Sequence, residues 1–281
     1  SIGAFIDRFE RSFADLCGVK HCIALSNGTV ALHLALHARG IGPGDEVIVP
    51  DLTFVATAAA VRHVGATPVL VDVDPVSLCL DPELVADAVS PRTRALIPVH
   101  LYGQPAPMIE LNDIARGHGL FVLEDGAEAH GARIGERVVG SLGDVAAFSF
   151  YGNKLLTTGE GGCLTTDDDT FARRARFLKD HAMSPERRYY HPEVGFNYRM
   201  TNLQAALGCA QLSRFDGILR RKAEVLEYYQ AELADSDVVL NPRVAGTTPV
   251  CWLVTAQLPG SWSPERQATF CANMREKHRI D

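Results

Sequence analysis

Apolar positions along the first 165 residues alternate between two periods. Phe5, Phe9, Phe13 and Leu16 recur at helical spacing, and Gly18 ends the pattern, which predicts an amphipathic helix. Short, largely apolar runs follow at His21–Leu25, Glu46–Val49, Pro68–Val73, Ala95–Val99, Leu120–Asp125 and Val145–Phe150. Each is short for a helix and reads as a strand buried on both faces. Helical patterns separate them: Val30–Ala38, a run of small residues ending at Arg62, a segment opened by the cap Asp81-Pro82-Glu83, and Met108–Arg116. This alternation predicts an α/β fold, a mostly parallel central sheet with helices on both faces.

Arg133–Val139 reads as a small hairpin and Phe171–Lys179 as an arginine-rich helix whose charges face solvent. A long polar segment runs from His181 to Asn202, and a structureless stretch of that length in a compact domain is usually functional. Leu203–Leu212 is an apolar helix. The composition shifts near Arg214 into a charged connecting helix containing Arg220, Arg221, Lys222 and Leu226. A loop with Pro242 and Gly246, a strand over Val250–Gln257 and a helix over Pro264–Lys277 follow. The expected organisation is a large domain over residues 1–213 and the start of a smaller α+β unit over 214–281.

Charge narrows the function. A net charge of −7 and a pI near 5.8 disfavour nucleic acid or an anionic membrane as the main partner. No apolar run is long enough to span a membrane. The seven cysteines are scattered without C-x-x-C spacing, which fits free thiols in a reducing cytoplasm. Gly40-Ile41-Gly42-Pro43-Gly44-Asp45 resembles a dinucleotide fingerprint only superficially. Asp45 stands where the third glycine belongs, and the stretch follows a helix instead of a strand. His33 and His37 are spaced for a metal, but Leu34 replaces the glutamate of the metalloprotease motif; packing or partial exposure is expected instead of a metal.

The candidate chemistry collects at strand ends, where open α/β sheets bind ligands. Lys154 lies just past the run ending at Phe150, five residues after Ser149 and ahead of the glycines 159, 161 and 162. A partly desolvated lysine there can lose its proton and attack a carbonyl; a solvated loop lysine is the bland alternative. Ser26-Asn27-Gly28-Thr29 joins a strand to a helix, a geometry suited either to an anion or to a plain cap. Asp125 ends a strand beside Glu124 and needs a cationic partner if buried, or serves as a cap. Glu128 follows three residues later and Phe54 lies in the loop after another strand; a loop acid and a core anchor are their plain readings.

Two stretches, Ser149–Lys154 and Val194–Asn202, are specific enough to name a likeness. The chain resembles the sugar aminotransferases of the DegT/DnrJ/EryC1/StrS family, most nearly the branch that forms perosamine. The resemblance implies the type I pyridoxal-phosphate (PLP) transferase fold as a homodimer with shared active sites. It makes Lys154 the Schiff-base lysine, assigns the phosphate to the turn with Gly28 and Thr29, and counts the hydroxyl of Ser149 among the cofactor-binding groups. It stacks Phe54 on the ring, sets Asp125 at the ring nitrogen and puts Glu128 near the ring hydroxyl or the reacting amine. It sends Asn197 to the phosphate of the partner site. L-Glutamate is the implied amino donor, and a nucleotide-linked 4-keto-6-deoxy sugar, with GDP first, is the implied acceptor. A different keto-sugar or a keto-cyclitol is the alternative acceptor. A sugar dehydratase of this fold carries histidine in place of Lys154, a nicotinamide enzyme lacks its glycine fingerprint here, and a regulatory protein of the same fold is the non-catalytic rival. Ser1 opens inside a helical pattern and Asp281 follows no stop signal, so the chain is expected to be trimmed relative to that family.

Overall fold

The computed structural model describes residues 3–241 and 243–279; Pro242 of the expected loop lies outside them. The strands are β1 (His21–Leu25), β2 (Glu46–Pro50), β3 (Thr67–Val71), β4 (Thr93–Leu96), β5 (Phe121–Asp125), β6 (Arg133–Ile134), β7 (Arg137–Val138), β8 (Val145–Ser149) and β9 (Gly162–Thr166). Seven of these form one sheet in the order β1-β9-β8-β5-β4-β2-β3. The pairings from β8 through to β3 are parallel, while β9 runs antiparallel to both β8 and β1. The mostly parallel expectation therefore holds, with an antiparallel margin at β1 and β9. β6 and β7 form the predicted hairpin.

The apolar runs are buried on both faces because the sheet is covered on both, except at the edge strand β3, where the expectation fails: it has one neighbour only, and Leu70 is 62% exposed. Ile48, Leu96, Val122, Ala146 and Phe148 contribute to one core with Phe9, Phe13 and Leu111. Their neighbours Val47, Ala95, Leu123, Val145 and Ala147 contribute to a second core with Leu34, Val61 and Leu178. This is the period of two expected of pleated strands. Helices α1 (Ala4–Cys17), α4 (Pro82–Ala88), α5 (Met108–His118) and α7 (Asn202–Leu212) supply residues to the first core or pack on it. Helices α2 (Gly28–Ala38), α3 (Ala56–His63) and α6 (Asp169–Lys179) supply the second. α1 stops at Gly18, whose φ of 71° is the left-handed geometry of a helix C-cap. α4 begins as expected, with the Asp81 side chain accepting from Glu83 N–H.

Two expectations need correction. The first is the solvent-facing charge of α6. Arg176 Nη1 donates to Glu10 Oε2 at 2.6 Å, and Lys179 Nζ lies 3.3 Å from Glu10 Oε1 and 2.9 Å from the Ala24 carbonyl. These groups clamp α6 to α1 and β1, because a carboxylate buried at Glu10 requires cationic partners. The second is the strand over Val250–Gln257. Only β12 (Ala256–Gln257) is strand, paired with β10 (Val239–Leu240). Upstream of it the backbone bonds to unrelated partners instead of one ladder. Val250 N–H donates to Gly103 O at 3.1 Å, Lys222 Nζ to Trp252 O at 2.9 Å, and Asn241 Nδ2 to Leu253 O at 2.8 Å. Tertiary contacts override strand propensity there.

Helix α8 (Phe215–Glu232) follows α7, and β11 (Thr247–Thr248) joins the hairpin by pairing with β6. Helix α9 (Pro264–His278) has no buried residue. Among the described residues, no helix is long and apolar enough to cross a membrane.

Candidate active site

The parallel strands β5 and β8 are neighbours, with Asp125 in register with Ala147. Their carboxyl ends, the loop after β2 and the first turn of α2 surround a cavity of about 690 Å³. Gly28, Thr29, Phe54, Asp125, Glu128, Ser149 and Lys154 all line it. Sequence positions 28 to 154 are thus gathered into one site by the strand order. Asn197 is exposed and is not among the lining residues; its backbone bridges to Asp180.

The α2 end is built for an anion. Asn27 caps the helix, its side chain accepting from Val30 N–H at 2.9 Å. The N–H groups of Gly28 and Thr29 belong to the first turn, where no intrahelical acceptor exists, and the helix dipole adds positive potential. Gly28 is required sterically: a Cβ there would meet Ser149 Cβ at 2.8 Å. Gly162 meets the same turn from the other side, since its Cβ would fall 2.4 Å from the Asn27 backbone. Glycines therefore bring the turn against Ser149.

Asp125 and Glu124 are adjacent on β5, so the pleat sends them to opposite faces. Glu124 goes inward and is fully buried. It accepts N–H bonds from Gly140, Leu142 and Gly143 and pairs with His100 Nε2 at 3.0 Å. His100 Nδ1 accepts from Ala106 N–H, so Nε2 carries the proton given to Glu124. Glu124 thus organises the return loop into β8. Asp125 faces the cavity, and its Oδ2 accepts from Thr57 Oγ1 at 2.8 Å while Oδ1 accepts from Ala127 N–H at 3.2 Å. Thr57 fixes the carboxylate without neutralising it, leaving its charge for a cation in the cavity.

Lys154 Nζ lies 3.6 Å from Glu128 Oε1, and the two side chains are only 12% and 9% exposed. Burial draws the Lys154 pKa below that of an ordinary lysine, while Glu128 and then Asp125 oppose the shift. Burial likewise pushes the Glu128 carboxyl above the usual range, against the pull of the Lys154 charge and the Tyr102 N–H, which donates at 2.8 Å. The pair therefore holds an amine closer to its neutral form and a carboxylate closer to its acid, a combination suited to proton transfer. Phe54 is 69% exposed at the mouth, a large apolar face available to a flat ligand.

Three residues at the site, Thr57, Tyr102 and the cavity-lining Trp252, carried no local signal in the sequence. Thr57 sits in a helix of alanines, Tyr102 in an exit loop, and Trp252 lies 98 positions beyond Lys154. The His33 expectation of packing is met. Its ring is buried edge-on against Phe196 and Tyr198, which stack on each other, with His37 and His63 nearby at 6.1 and 6.0 Å, and its pKa falls to about 4, chiefly through burial.

The DegT/DnrJ/EryC1/StrS aminotransferase family model matches residues 1–280. GDP-perosamine synthase of Caulobacter vibrioides is 53% identical over 268 residues, which covers 95% of this chain and 72% of that protein. GDP-perosamine synthase of Vibrio cholerae is 42% identical over 275 residues, covering 97% and 75%. Among solved structures, S. venezuelae DesV in complex with a ketimine intermediate superimposes with a TM-score of 0.91 at 40% identity, over 100% of this chain and 74% of that one.

Proposed function

The chain belongs to the DegT/DnrJ/EryC1/StrS aminotransferase family, and from that premise we propose that it moves an amino group from L-glutamate to a GDP-linked 4-keto-6-deoxy sugar, using PLP. The observation that carries the reading is Lys154: a buried amine beside Glu128, in one cavity with Asp125, Ser149 and the α2 N-terminus. The acceptor comes from the two GDP-perosamine synthases to which the chain is similar.

The donor set fits the cofactor. The first-turn N–H groups of α2 and the Ser149 hydroxyl suit a phosphate, and Asp125, fixed by Thr57, suits a protonated ring nitrogen. Phe54 offers its face to the ring. Bound there, PLP supplies an aldehyde to capture amines and a ring that withdraws electrons from the substrate carbon. Lys154 then takes a proton from the donor's Cα and later returns one to the acceptor carbon. Its lowered pKa keeps a larger share of the amine unprotonated and ready for the first transfer. Glu128 stays close enough to hold the resulting ammonium. In this reading Asn197 belongs to the site of a second copy, and the homodimer shares its sites. The chain divides at residues 213 and 214, and the later unit contributes Trp252 to the cavity.

The test is the visible spectrum of the protein supplied with PLP. A yellow protein that L-glutamate bleaches, with Lys154→Ala failing to develop that colour, is the expected result. A colourless protein, or colour indifferent to glutamate, overturns the reading. A bleached protein that then regains its colour with a GDP-linked 4-keto-6-deoxy sugar, and not with a keto-cyclitol, fixes the acceptor class.

A further inference from the structure

Trp252 also lines the cavity, and the reaction as described does not use it. Trp252 arrives from the far end of the chain, is 7% exposed, and places its ring face 3.7 Å from Lys154 Nζ. The indole is held at several points. Its Nε1 donates to the Asn153 carbonyl at 2.8 Å, so it is bonded to the residue next to Lys154. The backbone carbonyl of Trp252 accepts from Lys222 Nζ at 2.9 Å. Two residues before it, Val250 N–H donates to Gly103 O at 3.1 Å. Gly103 permits that approach: its φ is +93°, and a Cβ there would lie 1.9 Å from the Val250 carbonyl oxygen. The segment is built to hold this ring in place.

We propose that Trp252 is a positioning residue that holds the charged Lys154 amine between its indole face and Glu128. The inference rests on the assignment of Lys154 as the reactive amine. An ammonium is attracted to the negative face of an indole, and the attraction disappears when the amine is neutral. Such a station is useful each time Lys154 is free of the cofactor and has taken up a proton. It keeps the ammonium near the reacting carbon, instead of letting a four-carbon stem swing toward solvent. The charged or titratable groups facing the amine are Glu128 and Asp125, which favour its charge, and His130 behind β8, which burial keeps uncharged with a pKa of about 3. Trp252 adds a further favourable contact without adding a competing proton site.

The proposal predicts a sign that a simple lid does not. If Trp252 acted only by excluding water, a smaller side chain would admit water and raise the pH at which the amine loses its proton. If the ring face holds the cation, Trp252→Leu lowers that pH, and Trp252→Phe falls between. The measurement is competitive acetylation of the PLP-free protein across pH, with Lys154 followed by peptide mass spectrometry. The expected midpoint drop for Trp252→Leu is about 0.4–1.5 pH units. An unchanged or raised midpoint overturns the proposal. A second measurement leaves Trp252 intact. The chain has two tryptophans, so Trp262→Phe makes Trp252 the sole indole emitter. Its emission should titrate with pH, and Lys154→Met should abolish that transition. Emission that titrates identically without Lys154 overturns the proposal as well. Neither measurement uses cofactor or turnover, so its failure is separable from a failure of the spectral test above.

Discussion

Two buried lysines, Lys154 and Lys179, share their electrostatics and differ in everything else. Both have pKa values drawn down by burial, and both have a glutamate as the largest opposing influence. Lys179 Nζ reaches Glu10 at 3.3 Å and the Ala24 carbonyl at 2.9 Å, while Glu10 also accepts Ala24 N–H at 2.8 Å and Arg176 at 2.6 Å. Its donors are committed inside the packing of α1, β1 and α6. Lys154 has a carboxylate at 3.6 Å and an aromatic face at 3.7 Å, and it lines a cavity. A shifted pKa therefore does not separate a lysine spent in packing from the lysine proposed to react. What separates them is how many donors are already spent, and whether the group faces open volume.

The comparison breaks most sharply at Lys154 itself. Lys154→Ala should lower kcat for transamination by at least about 10²–10⁴-fold, the value of a positioned proton-transfer group. Its urea midpoint should change little, as steady-state kinetics and denaturation together will show. Lys179→Met should do the reverse. It removes one of the two cations on Glu10, leaving Arg176, and orphans the Ala24 carbonyl, so it should destabilise the protein by roughly 1–3 kcal/mol in urea denaturation, with kcat at low temperature close to that of the parent. Equal effects of both substitutions on both readouts would erase the distinction.

Smaller effects sharpen it. Gly103→Ala should cost about 1–3 kcal/mol in backbone strain alone. In a Trp262→Phe background it should move Trp252 emission toward that of a solvated indole, because the Val250 segment can no longer dock. Glu128→Gln removes the largest influence that favours a charged Lys154. The acetylation midpoint should therefore move down, by about one pH unit, so the amine becomes reactive at lower pH. A midpoint that rises would mean that the glutamate is not the group holding the proton.

Much of the site was legible because its parts lie at strand ends. Asp125 and Ser149 end the strands β5 and β8, Lys154 follows the second, and the turn Ser26–Thr29 sits between a strand and a helix. Local pattern placed these residues at the ligand side of a parallel sheet, and the likeness of Ser149–Lys154 to a known segment supplied the chemistry. Pattern could also distinguish Glu124 from Asp125 in principle, since adjacent residues of a strand face opposite ways. It could not say which face held the cavity. The charges of α6 misled because Arg176 and Lys179 occupy helical positions that look solvated until Glu10, from 166 and 169 residues away, is packed against them.

The sequence by itself determined the alternation of elements, their caps and the residue types at the strand ends, because these depend on contacts within a few positions. Hydrophobic period, proline, glycine and capping side chains act locally and can be read locally. Only the tertiary structure decided which strands are neighbours, that Thr57 fixes Asp125, and that Trp252 meets Lys154 across 98 positions. Those contacts follow from strand order and from the docking of Val250 on Gly103. Such contacts form when distant segments compete to bury apolar surface and satisfy backbone groups, and no local pattern records the outcome.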